Sequence, residues 1–211
     1  AVRDSHSTGS VTGNYNVGGL VGGTWEDTVG DCYSTGSVTG NTSVGGLVGV
    51  HGQGTVSNSY STGSVTGDDA VGGLGGCNRD TVDSSYSTGS VTGYSNVGGL
   101  VGLNFGIQEG YPAIVRDSHS SGSVIGTEKV GGLLGYNRGT VSNSFWDTET
   151  SGQGSSDGGT GKTTAEMKDT ITFLDADWNI IAVANPGIRN PSYTWNIVDG
   201  QTYPFLNRQP V

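Results

Sequence analysis

The chain has 211 residues, 40 of them glycine, with only 13% charged residues and a formal net charge of −10. Its nine Lys and Arg residues are scattered singly, which argues against nucleic-acid binding because no basic stripe exists to neutralise phosphates. No apolar run approaches the ~18 residues of a membrane span, and the glycines lack the G-X-Y triplet of collagen.

One phrase recurs five times, as SHSTGSVTGNYNVGGLVG from Ser5, CYSTGSVTGNTSVGGLVG from Cys32 and SYSTGSVTGDDAVGGLGG from Ser59, with further copies from Ser85 and Ser118. The glycines of its [ST]-G-S-V core, Gly9, Gly36, Gly63, Gly89 and Gly122, are spaced by 27, 27, 26 and 33 residues. A fixed period of this size signals a solenoid. Glycine, Val, Thr, Ser and Tyr favour strands and turns over helices. The expected fold is therefore all-β, a parallel β-helix of five to six 27-residue coils over residues 1–146 with a C-terminal cap over 147–211. The chain opens at Ala1 inside a repeat phrase without Met or a signal peptide, so a fragment or processed product of something longer is expected.

Within a coil, period-two parity predicts the facing. Val11, Val38, Val65, Val91 and Val124 form one inward column, preceded by inward glycine and serine (Ser34 and Cys32 in the second copy). Tyr33, Thr35, Ser37 and Thr39 then face out, as do Tyr60, Thr62, Ser64 and Thr66; the rival arrangement puts the Tyr column inside. An earlier apolar column, Val29, Val56, Val82, Val115 and Val141, has the opposite parity, which demands a bend at Asp31, Asn58, Ser84, Asp117 and Asn143. The VGGLVG phrase (Val17–Gly22, Val44–Gly49, Val97–Gly102) is predicted to be a second strand whose glycines permit close approach.

These residues carry a resemblance. VGGLVG, VGGLLG and YSTGSVTG are similar to the GLUG-type repeat, with Leu20, Leu47, Leu100 and Leu133 at the leucine position and Gly75 a mild departure in VGGLGG. The likeness covers roughly residues 1–145. It implies a secreted or surface-attached microbial protein, since such repeats occur in haemagglutinin-like adhesins and, as ancillary parts, in some secreted peptidases; it implies no particular ligand.

The pattern breaks in three places. The coil gains about six residues at Leu103–Val115, a loop carrying Phe105, Ile107 and Tyr111 that either folds onto the coil or offers a contact surface. The three residues after each VTG or VIG vary from copy to copy, from Asn14–Tyr15–Asn16 to Thr127–Glu128–Lys129, and are expected to stack as a variable edge. After Ser144 a Gly/Ser-rich stretch leads to a short helix, for which Thr163 and Glu166 form a capping box. Trp178, Trp195 and Tyr203–Leu206 complete the cap expected to cover the last open coil, a tail similar to the segment that closes such arrays.

Catalytic signals fade on inspection. GGTGKTT lacks the first glycine of a phosphate loop, where Ser156 stands, and has no strand before it. GSSDG at 154–158 sits in glycine-rich loop rather than on a nucleophile elbow. His6 and His119 occupy the Tyr column as repeat substitutions, and two cysteines, Cys32 and Cys77, make neither a zinc site nor, two coils apart, a disulfide. Asp147, Glu149 and Asp157 are the weak candidates for calcium, with Asp68–Asp69 a second pair; no other cofactor is expected.

The expectation is a non-catalytic structural or adhesive module of an extracellular or cell-surface protein, partnered by itself in fibres or by surface glycan or protein. Its candidate contact residues are Tyr33, Tyr60, Tyr86, Thr35, Thr62, Thr88, Phe105, Ile107 and Tyr111. Two alternatives stand beside it. The Tyr ladder could stack on sugar rings, and the Thr/Ser rows, with spacings of about 4.8 Å and ~6.8 Å, could bind ice.

Overall fold

The computed structural model describes residues 1–107 and 111–210. Among these residues, parallel pairing between equivalent positions of successive repeats builds five ladders, so the chain is an all-β parallel solenoid. Ladder one runs through Val2–Arg3, Val29–Gly30, Thr55–Ser57, Thr81–Asp83, Ile114–Arg116 and Thr140–Ser142. Ladder two takes His6–Ser7, Tyr33–Ser34, Tyr60–Ser61, Tyr86–Ser87, His119–Ser120, Phe145–Asp147 and Thr160–Lys162. Ladder three starts at Val11–Thr12, ladder four at Tyr15–Gly18 and ladder five at Val21–Thr24, each with five rungs. Identical residues stand over one another in register, as in Val29–Val56–Val82–Val115 and Val38–Val65–Val91–Val124.

Two corners per coil depend on left-handed backbone. The first is the bend expected from parity: Asp31, Asn58, Ser84, Asp117 and Asn143 have φ of 46° to 55°. The second falls on the last residue of each variable triplet, Asn16, Ser43, Ala70, Asn96 and Lys129, with φ of 51° to 56°. The variable triplets therefore each end in a fixed corner. VGGLVG is likewise not one strand. It bends between Gly18 and Val21, so the first Val-Gly closes ladder four and the next Val opens ladder five, with the leucine pointing into the core.

The interior is two apolar strips joined by a thin waist. One strip holds the ladder-one valines, Leu47, Leu74, Leu100 and Leu133. The other holds Val38, Val65, Val91 and Val124 against Val44, Val71 and Val97. At the waist, buried Ser34, Ser61, Ser87 and Ser120 meet the paired glycines. A Cβ on Gly46 would lie 2.1 Å from the Gly73 carbonyl oxygen and 2.2 Å from Ser61 Oγ, so only glycine lets the coils approach here.

A second serine row repairs the first corner. The backbone N–H groups of Cys32, Ser59, Ser85 and Ser118 donate to the hydroxyls of Ser59, Ser85, Ser118 and Ser144 one coil on, at 3.1 to 3.2 Å. Each of these hydroxyls donates in turn to the carbonyl two residues before it. Buried donors in a dry interior need such partners. Cys32 takes a serine position in this row, while Cys77 lies in ladder five; both are buried free thiols, as their separation required.

The tail does two jobs where one was expected. Residues 153–162 lie on the last coil: Ser156 Oγ accepts from the Leu133 and Leu134 N–H groups, and Thr160–Lys162 adds a seventh rung to ladder two. Trp146 plugs the interior beneath them at the serine position. The remainder folds back along the side of the solenoid. Thr163 and Glu166 make the capping box, with Thr163 N–H to Glu166 Oε2 at 2.8 Å and the return bond at 3.3 Å. A short helix, Thr170–Leu174, and a sheet of Ile180–Ala182, Trp195–Ile197 and Phe205–Leu206 follow.

Candidate binding surfaces

The aromatic column of ladder two forms in register. His6, Tyr33, Tyr60, Tyr86 and His119 stack with centroids 4.8 to 5.0 Å apart and planes within 6°. These rings point out of the coil, as parity required, but they do not face water along their length. Met167, Phe173, Trp178, Trp195 and Leu206 of the tail pack over them, leaving Tyr60 6%, Tyr86 3% and His119 0% exposed. A sugar-stacking ladder of Tyr33, Tyr60 and Tyr86 is thereby corrected: only Tyr33 keeps partial access. The physical reason is apolar area, since Trp178 and Trp195 of the tail bury theirs against the row of aromatic rings.

Polar anchors fix this cover. Trp178 Nε1–H donates to the Asn143 carbonyl at 2.8 Å, and Tyr86 OH donates to Gln209 Oε1 at 2.6 Å. His119 Nε2 lies 3.1 Å from the Pro204 carbonyl, which makes it the donor, while Nδ1 is buried without a partner. Burial lowers the His119 pKa to about 4 against that hydrogen bond, so the ring is neutral in the folded protein. Burial pushes the Tyr60 phenol up to about 12, with Tyr33 beside it adding to the shift.

The hydroxyl face next to the aromatic column stays open. Thr35, Ser37 and Thr39, Thr62, Ser64 and Thr66, and Thr88, Ser90 and Thr92 are all exposed, with Ser37 Oγ donating to Ser10 Oγ at 2.9 Å. The fifth row is broken: Ser121 is buried beneath Thr150, and Ile125 stands 62% exposed.

The three carboxylates proposed for calcium are occupied separately. Asp147 Oδ1 accepts from the Glu149 and Thr150 N–H groups, and Oδ2 from the Thr164 and Tyr203 hydroxyls. Burial alone would raise this carboxyl, but those donors outweigh it and hold it below the usual range. Asp147 thus caps the helix Thr148–Ser151 and pins the tail to the solenoid. Glu149 accepts from Thr164 N–H, and Asp157 from Asn137 N–H on the last coil. Among the described residues no three His, Cys, Asp or Glu side chains converge for a metal ion.

Of the loop residues, Phe105 is 38% and Tyr111 68% exposed, and Ile107 with Tyr111 borders a hollow of about 440 Å³; residues 108–110 lie outside the described ones. Sequence reading missed that Arg79, Lys129 and Arg138 share a surface. The signal was present: Arg79, Phe105 and Arg138 are spaced by 26 and 33 residues, the intervals between the repeat glycines Gly63, Gly89 and Gly122.

Over 41 residues the chain is 54% identical to a protein of Evansella cellulosilytica described as a Gly-rich membrane protein; the match covers 19% of this chain and 5% of that relative. Among the described residues no helix is long and apolar enough to cross a membrane. No solved structure matches the chain. The GLUG motif matches at residues 13–39, 40–66 and 93–125, and these copies occupy successive turns of one solenoid. Over these three stretches the chain carries GLUG-motif repeats.

Proposed function

We propose that the chain is a non-catalytic structural and adhesive module of a secreted or cell-surface protein, in which the stacked coils form a spacer that displays its outer faces. The observation that carries this reading is the in-register stack closed at one end by residues 153–162 and flanked by a tail whose contacts with Asp147 and with His119 of the solenoid hold the fold. The membrane-protein description of the Evansella relative supports the location. Antibody labelling of intact producing cells, combined with protease shaving, tests it. Labelling before permeabilisation and loss on shaving are expected; a signal that needs permeabilisation overturns the reading.

Fibres formed by end-to-end stacking of this chain would need both ends free, and the last coil is covered. Electron microscopy of the purified chain is therefore expected to give short rods. A second reading, ice binding, is favoured by the exposed Thr/Ser rows of the first four coils. Thermal hysteresis at millimolar protein supports it, and its absence dismisses it.

A further inference from the structure

In a chain of net charge −10, three of the nine cationic side chains gather on one face. Arg79, Lys129 and Arg138 line an open hollow of about 390 Å³ with Leu103, Phe105 and Tyr136, on the outer side of ladder five. Register places them there. Leu103 pairs with Tyr136, and two residues further along each coil Arg79, Phe105 and Arg138 occupy consecutive rungs, each N–H donating to the preceding coil at 2.8 to 2.9 Å. Lys129 reaches the same hollow because its left-handed corner turns it over the Tyr136 ring, 4.3 Å from Nζ to the centroid. The Arg138 guanidinium stands 5.7 Å from the Phe105 ring and 5.6 Å from that of Tyr136, and its Nε–H donates to Tyr136 OH. The ion pairs of the described residues form elsewhere, at Arg116, Lys162, Arg208 and the N-terminal amine.

We propose that this hollow binds a carboxylate-bearing oligosaccharide, a chain of hexuronate units lying along the solenoid axis. The aromatic rings offer apolar faces to the sugar rings, and the guanidinium forks fit carboxylates two bonds at a time. Spacing separates this ligand from an acidic peptide. Arg79 and Arg138 stand two rungs apart, roughly 10 Å at ~4.8 Å per rung, a step close to the length of a disaccharide. An extended peptide repeats its same-side carboxylates every ~6.8 Å and falls out of step. Arg79 also lines the 440 Å³ hollow beside Tyr111, where Asp80 is engaged by Gly54 N–H and the Thr81 hydroxyl.

The proposal rests on the reading of the chain as a display module, and its test is independent of cell labelling. Calorimetric titration of the full chain uses oligogalacturonate, a neutral cello-oligosaccharide and poly-glutamate as probes. The oligogalacturonate binds, more weakly as salt rises, and the double variant Arg79→Gln/Arg138→Gln lowers its affinity about tenfold or more. Arg116→Gln, on a different face, leaves it unchanged, and matching thermal melts show that the variants fold. Absence of oligogalacturonate binding, indifference to the double variant, or equal affinity for poly-glutamate each overturns the assignment.

Discussion

At Ser84 the chain turns its first corner with φ of 46°, where the aligned coils use Asp or Asn. Asn and Asp tolerate left-handed backbone because their side chains bond locally, whereas most L-residues lose roughly 1–2 kcal/mol there. Ser84→Asn is expected to raise stability by about 1 kcal/mol, read as a shifted urea midpoint at unchanged slope. Glycine positions divide more sharply. Gly46→Ala drives a methyl group into the Gly73 carbonyl and Ser61, and is expected to cost several kcal/mol or prevent folding. Gly9→Ala meets nothing within 4 Å and should stay within about 0.5 kcal/mol of the parent in the same denaturation experiment. A Cβ on the aligned Gly36 would meet the Gly9 carbonyl oxygen at 2.0 Å, so the same place in the phrase tolerates or forbids a methyl group according to whether another coil lies before it.

Whole elements explain what could be read in advance. The ladders were legible because their side chains alternate with period two and recur with the coil, so Val29, Val38 and the inward serines announced their facing. The Asp31-type corner announced itself through turn residues. The second corner did not: Ser43, Ala70 and Lys129 carry no left-handed preference, and their φ values follow from closing the coil. The docking of the tail on the tyrosines was equally silent, since packing between a periodic face and an aperiodic segment leaves no periodicity to find. That contact carries a pH dependence. His119 is neutral when folded, with pKa about 4, against about 6.5 in the unfolded chain. A depressed folded pKa stabilises above the unfolded value, so stability is full near pH 7, declines as pH falls from about 6.5, and levels off below about 4. The full effect is on the order of 3 kcal/mol. His119→Phe, which places in the stack the residue found at 145, should flatten that decline when urea melts at pH 7 and pH 4.5 are compared.

Taken as a whole molecule, the solenoid has unlike ends. The last coil is hydrogen-bonded to residues 153–162 and plugged by Trp146, whereas the first coil forms the outer edge of every ladder and its Val2, Val11, Leu20 and Val21 are only half-buried. Such an arrangement gives the rod a mechanical direction. Tension applied through Ala1 meets one short row of bonds at a time, so the coils should peel off in sequence at low force, each 27-residue turn adding roughly 90 Å of contour. Tension applied through the tail must first tear tryptophans from tyrosines all at once. Single-molecule pulling from the two ends should give a low, even sawtooth in one case and a single high rupture before it in the other. This 211-residue stack, held by one end rather than the other, would therefore yield to drag either gradually or abruptly, with no change in its sequence.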